Sequence, residues 1–380
     1  MKLAKYILAS TAAILLNACE QTVYLPPEQE PIKPVNINIR STYLFEPIGN
    51  GSVAIPVDID DIGSVAVAQV HRDGSYTLSD TVLTMNNLSG ICINSSNEIL
   101  LYQYYFGDNG DCYEVHKLNS EGKKVYHSIT DYEPLVLLDN GGIACLKRDI
   151  IEGQSEECLI MQILENNFTY VMGKDFSGDG ACAFDDNIFL YDVFSGDYCI
   201  FKTNGTYVNS GSVDHIITNV RYVDGNIYVV SFDSETVDPN KTDTGKYKWE
   251  ITKMDLSGRQ LYSTQLEALS LFNNFTIYNG NLIATGAISK DIKKDEGYGV
   301  IFMINDNNGS ILETISCDYD GCDFQPLYIY PNKNGEFDVY AVRHSNYETK
   351  SGEYNGFSYI EKGKLFIYHL NDLHKLQINN

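Results

Sequence analysis

Seven times along the chain a short apolar strand ends in an Asn, Asp or Gly reversal and a second strand runs straight back. These reversals fall at Asn50-Gly51, Ser96-Asn97, Asn140-Gly141, Asp186-Asn187, Gly225-Asn226, Gly280-Asn281 and Asn334-Gly335. A second series interleaves with the first, at Asp73-Gly74, Glu121-Gly122, Asn166-Asn167, Asn204-Gly205, Ser257-Gly258, Asn308-Gly309 and Asn371-Asp372. Residues of this kind accept positive φ and close tight reversals between antiparallel strands. Two hairpins make four strands, and the unit recurs every ~40–60 residues, the range of propeller blades. The expected fold is therefore all-β: a seven-bladed β-propeller in which each blade is a four-stranded antiparallel meander.

The blades run approximately over 41–84, 85–131, 132–175, 176–214, 215–267, 268–318 and 319–380. Period-two segments such as Glu98–Tyr105, Asn187–Val193 and Asn226–Phe232, with only 10 prolines in the whole chain, fit such strands. Blade one is the least regular, so six blades with a stray extra sheet is the alternative. The last unit reads as owning all four of its strands, although Val35–Arg40 is placed to add an edge strand to it.

The first residues carry an address. Lys2 and Lys5 form a short positive region and Tyr6–Leu16 is apolar. That run is about 11 residues, against about 20 for a bilayer span, and suits a secretory leader over 1–18. It ends in Leu16-Asn17-Ala18-Cys19, which resembles the lipobox of bacterial lipoproteins. The resemblance implies that Cys19 is acylated on its thiol, becomes the new N-terminus and is acylated again, so that several chains hold the protein at a membrane. Glu20, where an inner-membrane retention signal commonly has Asp, implies the outer membrane; neither of its faces is favoured. Residues 19–36 read as an extended tether, since Pro26, Pro27, Pro31 and Pro34 fall among Glu20, Glu28 and Glu30. One propeller domain, 37–380, follows.

The formal charge is −24, and removal of Lys2 and Lys5 with the leader takes the mature chain to −26. Such acidity excludes nucleic acid as an expected partner and is compatible with cations, neutral glycans or basic proteins. Removing Cys19 leaves eight cysteines in an oxidising compartment, but the repeat argues against four disulfides. Cys92 and Cys112, like Cys182 and Cys199, fall on strands one and three of a unit, about 9.5 Å apart and beyond the reach of a bridge. Cys145 and Cys158 lie on adjacent strands out of register. Only Cys317 and Cys322 flank a short loop, and they form the candidate disulfide.

The interleaved turns imply two unlike rims. One gathers the tight hairpins; the other gathers long connections such as Asp233–Lys248, Ser289–Gly299 and Ser345–Gly356. Long loops on a rigid scaffold are where binding groups collect. The aromatics Trp249, Tyr298, Tyr319, Tyr347 and Tyr354 fall on this rim, with Arg343 at a strand end beside it. Asp318, Asp320 and Asp323 place oxygen ligands near a glycine turn, which makes Ca²⁺ the candidate metal; Cys322 stands where a further acid would be expected and no bidentate Glu follows. No other cofactor is implied. No Ser-His-Asp order, P-loop, dinucleotide fingerprint or GxSxG elbow is present.

The second-series hairpins share a crude consensus, seen in His116-Lys-Leu-Asn-Ser-Glu-Gly122, Lys253-Met-Asp-Leu-Ser-Gly258 and Met303-Ile-Asn-Asp-Asn-Asn-Gly309. In this the chain resembles the generic β-propeller lipoproteins of the Bacteroidetes type. Trp-Asp, paired-glycine kelch and sialidase Asp-box signatures are absent. The expected function is a membrane-anchored binding or interaction protein that holds a glycan or an envelope protein at the long-loop rim. The 28 tyrosines favour such contacts. A carbohydrate-active hydrolase or lyase, and a structural subunit of an envelope complex, are the alternatives.

Overall fold

The computed structural model describes residues 35–39, 45–58, 64–82, 88–107, 110–150, 157–164, 168–173, 178–213, 215–233, 248–267, 269, 271–291, 296–317, 324–332, 334–343 and 363–376. Its architecture begins with the turns. Asn97, Asp185, Asp224 and Asn279 hold φ between 48° and 60°, and Gly51, Gly141, Gly225, Gly280 and Gly335 are likewise left-handed. An Asx side chain starts many of these reversals by accepting backbone amides of the turn itself. Asn94 Oδ1 takes the Ser96 and Glu98 amides at 3.1 and 2.9 Å, and Asn332 Oδ1 takes those of Asn334 and Glu336 at 2.9 and 3.1 Å. Asn119 and Asp255 do the same in the second series. Local chemistry alone therefore reverses the chain.

Between reversals the strands pair into seven four-stranded antiparallel blades, in sequence order in all but the last. Blade 2 is representative, with strands Leu88–Ile93, Ile99–Gly107, Gly110–Leu118 and Lys124–Thr130, called a to d from the ring axis outward. The b strands are shielded on both faces: Ile99, Leu100 and Leu101 are all fully buried, as are Ile227, Tyr228, Val229 and Val230. The d strands are edges that meet solvent on one face, hence the alternating burial of Gln260–Leu266.

Seven hydrophobic clusters fill the seven blade interfaces. Ala54, Val65 and Val67 of blade 1 pack on Ile99, Leu101 and Leu118 of blade 2, and the series continues round the ring. It ends where Val53, Ile55 and Val57 of blade 1 meet Tyr340, Val342 and Leu365 of blade 7. Each Val, Leu or Ile so buried contributes about 1.5–3 kcal/mol, and no blade has a core of its own. The expected seven-bladed reading holds, and the six-bladed alternative falls.

Ring closure follows the alternative, an edge strand from Val35 onward, and not the expectation that the last unit owns all four of its strands. The last blade supplies three strands, Phe324–Pro331, Phe337–Arg343 and Gly363–Leu370, and its fourth is Val35–Ile39 from the other end of the domain. Val35 stands opposite Leu365 and Ile39 opposite Gly363, while Ile39 also pairs with Val57 of blade 1. This places the first two residues of the strand inside the segment read as tether. Asn371-Asp372, expected to be the seventh turn of the second series, leads instead into a short 3₁₀ turn, Leu373–Leu376. Asp372 Oδ1 accepts the His374 amide at 2.9 Å, and Leu373 and Leu376 close the bottom of the blade 6–7 cluster. Closing the ring with a strand from the start of the domain ties the last blade to the first, and leaves only the short outer edges that a propeller keeps.

Candidate functional site

In a ring of a–b–c–d meanders, a–b and c–d turns share one rim and b–c and d–a connections share the other. On the hairpin rim the turn atoms are spent on joining blades. The Tyr198 hydroxyl donates to the Gly258 carbonyl at 2.9 Å, Thr264 Oγ1 to the Gly309 carbonyl at 2.7 Å, and the Tyr340 hydroxyl to the Gly51 carbonyl at 2.6 Å. Lys117 Nζ donates to the Gly141 carbonyl of blade 3 at 2.9 Å. Lys253 Nζ reaches Asp306 Oδ2 at 2.6 Å while the Tyr228 and Tyr262 hydroxyls donate to Asp306 Oδ1 at 2.8 and 2.9 Å. Gly309 shows how little room remains: φ is +73°, and a Cβ there would sit 2.5 Å from the Tyr262 ring.

Among the described residues the hairpin rim also holds a recess, a cavity of about 360 Å³ lined by Arg72, Asn332, Glu336, Asp338, His369, Leu370, Asn371 and Lys375. Asp338, 1% exposed, accepts from Arg72 of blade 1 and contacts His369 Nδ1. Arg72 also lies over the Tyr330 ring, 5.2 Å from its centroid. This recess is the seam where the last blade meets the first, and the Arg72–Asp338 pair bridges it.

Along the axis the inner strands bring together groups remote in sequence. Glu46, on the inner strand of blade 1, is half-buried at the axis, and this burial pushes its carboxyl up to about 7; the guanidinium of Arg221 on the inner strand of blade 5 pulls the other way. Arg221 is oriented by blade 6, donating to Asn274 Oδ1 and to the Phe275 carbonyl at 3.2 Å, and its guanidinium lies 5.4 Å from the Phe275 ring centroid. Cys92 and Cys182, from blades 2 and 4, sense the Glu46 charge, and burial pushes both thiols up to about 12. They are protonated at neutral pH and unsuited to nucleophilic chemistry. Nearer the long-loop end, Gln325 Nε2 donates to Asn273 Oδ1 at 2.8 Å, and Asn273 Nδ2 donates to the Pro326 carbonyl at 2.8 Å. Glu133 and Asp179, at the starts of the blade 3 and blade 4 inner strands, add acid to the same end, where Tyr102 and Tyr191 feel their charges.

The expected rim residues fare differently. Trp249 is 5% exposed and lies in the core between blades 5 and 6, its ring 5.2 Å from Phe232 and 6.0 Å from Phe272. It supports the rim from beneath and presents no open stacking face. Tyr298 stands half-buried on the c strand of blade 6, opposite Ile288. Arg343 ends the b strand of blade 7, opposite Phe324 and Lys364. Tyr319, Tyr347, Tyr354, Asp318, Asp320, Asp323 and Cys322 lie outside the described residues. Cys317 is fully buried, its thiol 3.8 Å from the Ile315 carbonyl. The other cysteines sit as their strand positions required: Cys145 is opposite Gln162 and Cys158 opposite Asp149, so the two do not face each other.

Sequence reasoning passed over several groups. Phe194, 38% exposed, occupies the short b–c connection of blade 4 on the long-loop rim. Lys147 is gripped there by Asp131 and Asp149, each at 2.7 Å, and lies 5.6 Å from the centroid of the Tyr132 ring; the two carboxylates push its ammonium up. Glu114, His116 and His127 converge on the outer part of blade 2. A signal for this last group existed, because the two histidines are equidistant in sequence from the Glu121-Gly122 turn.

No protein-family model matches the chain, and no curated protein matches it. Among solved structures it is similar to oligogalacturonate lyase in complex with manganese, at TM-score 0.51 and 12% identity, over 92% of this chain and 96% of that one. It is also similar to streptogramin B lyase (TM-score 0.48, 10% identity, 90% and 97% covered). A third such structure is BamB from Moraxella catarrhalis (0.46, 11% identity, 90% and 100% covered). At these identities the likeness is one of fold.

Proposed function

We propose that this protein is a lipid-anchored binding protein of the cell envelope, held at the outer membrane through Cys19, with its ligand at the long-loop rim and the axial mouth beneath it. The observation that carries this reading is the difference between the rims. Hairpin-rim turn atoms are consumed by bonds between blades, whereas the opposite rim receives the chain's longest connections, 234–247 and 344–362. That mouth carries carboxylates, carboxamides and aromatic residues, groups that bind sugar hydroxyls and stack on sugar faces, so a glycan is the favoured ligand and an envelope protein the other. A glycan array probed with the Cys19→Ala protein, followed by titration, tests the proposal. Alanine at Tyr319, Tyr347 or Tyr354 should cost about 2 kcal/mol of binding each, about 30-fold in Kd, with thermal stability unchanged. A ligand whose affinity ignores these three and Phe194 but responds to Asn226 or Asn281 on the hairpin rim would overturn the assignment of the working face.

A second reading has a specific observation behind it. A carboxyl with a pKa near neutrality at the axis is suited to proton transfer, as a carbohydrate-active hydrolase or lyase requires. Product analysis of any bound glycan separates the readings: turnover abolished by Glu46→Gln favours the enzyme, and unchanged ligand favours the binding protein.

A further inference from the structure

We infer that the outer part of blade 2 is a binding site for a divalent transition-metal ion of the zinc type, ligated by Glu114, His116 and His127. The three come together by strand register. His116 on the c strand stands directly opposite His127 on the d strand, and Glu114, two residues back, shares their face of the blade. Both imidazole Nε2 atoms aim at one carboxylate oxygen, Glu114 Oε1, from 2.9 and 3.0 Å, and the two rings stack with centroids 4.5 Å apart. All three ligand atoms lie within 4.8 Å of one another.

That spacing fits a metal. With Zn–N and Zn–O bonds of about 2.0–2.1 Å, the ligand atoms of a tetrahedral site lie about 3.3 Å apart. The pairs at 2.9 and 3.0 Å need to open by only a few tenths of an ångström to admit the ion. The Glu114 carboxylate is held in place from behind, because its other oxygen, Oε2, accepts from Gln103 Nε2 at 2.6 Å, across the b–c pairing of the blade. Such outer partners orient metal ligands.

The cluster is also poorly explained as an ordinary buried network. His116 is 1% exposed and Gln103 4%, yet His116 Nδ1 and Gln103 Oε1 have no hydrogen-bond partner among the described residues. A network selected only for stability leaves few such atoms. Two imidazoles and one carboxylate select Zn²⁺ and its neighbours over Ca²⁺ or Mg²⁺. Three protein ligands leave a fourth position for water, and the half-exposed His127 gives solvent access to the cluster. This site is distinct from the axis and from the long-loop rim, so its fate is independent of the function proposed above.

The test is titration of the full chain, stripped with chelator and held in detergent, with Zn²⁺ and with Co²⁺ as a geometric probe. One equivalent of Zn²⁺ should bind, unaffected by excess Ca²⁺ or Mg²⁺, and Co²⁺ should show the visible bands of a four-coordinate site. His127→Ala, a substitution at a half-exposed position that leaves the core intact, should weaken binding at least tenfold, and Glu114→Gln likewise. His374→Ala, which disrupts the exposed Glu313–His374–Asp372 cluster, should leave it unchanged. No stoichiometric Zn²⁺ binding, binding undiminished in His127→Ala, or loss in His374→Ala instead would each overturn the assignment.

Discussion

Replacing Glu46 by Gln should stabilise the protein, and by an amount that depends on pH. The carboxyl titrates near 4.5 when exposed and about 7 in the ring, where burial outweighs the pull of Arg221. Between these values the unfolded chain has released the proton that the folded chain keeps. Stability therefore falls as pH rises from about 4.5 to about 7 and is level on either side. At about 1.4 kcal/mol per pH unit, that interval corresponds to about 3 kcal/mol. Because Glu46 keeps some contact with the channel, about 2–3 kcal/mol is the working figure. Gln copies the neutral acid and carries no such penalty. At an unfolding entropy of about 2 cal/mol/K per residue, 3 kcal/mol over about 340 residues amounts to a Tm difference of about 4 °C. Paired thermal scans of Glu46→Gln and the parent should coincide near pH 4, diverge through pH 4.5–7 and hold a constant gap above. Arg221→Met should move the midpoint of that divergence upward. A gap independent of pH would refute the argument, as would a Gln variant that loses stability above pH 7, since that would mean the carboxylate is paired and favoured in the folded ring.

Three further outcomes follow from packing and anchoring. Trp249→Ala should cost about 3–5 kcal/mol, read as a lowered denaturation midpoint, because the indole fills the blade 5–6 core; an unaltered midpoint would place the ring outside that core. Deleting 35–39 should open the ring between its first and last blades and lower Tm sharply, and a protein that melted as the parent does would contradict closure by this strand. Cys19→Ala should release the protein from the membrane fraction without altering its Tm, and retention on membranes at high salt would exclude acylation as the anchor.

The blade count was legible because each turn is decided by its own few residues. Asn97, Asp224 and Gly141 take the positive φ of their turns at little cost, because Asn, Asp and Gly tolerate it best, and Asn94, Asn119 and Asp255 bond to amides two and four residues on. The exclusion of most disulfides was legible for the same reason, since strand order within a blade follows from the turns. Sequence also separated the two rims, because loop length is a property of the chain.

Tertiary structure decided what depends on contacts between blades. Val35–Ile39 joins a strand more than 300 residues away; the sequence placed an edge strand there only as an alternative, because no local preference chooses between the last strand of the ring and the end of a tether. Trp249 opens its strand as a rim residue would, but whether an indole at that height faces solvent or a neighbouring blade is settled only when blade 6 brings Phe272 against it. Glu46 sits in an inner strand of two residues, Glu46–Pro47, and nothing nearby announces a perturbed acid. Its pKa is set by desolvation at the axis and by Arg221, a charge that reaches it only across the closed ring. Turn conformation is an energy of adjacent residues and is written where it acts; burial and long-range electrostatics are energies of the assembled ring, so they take their values only when all seven blades are in place.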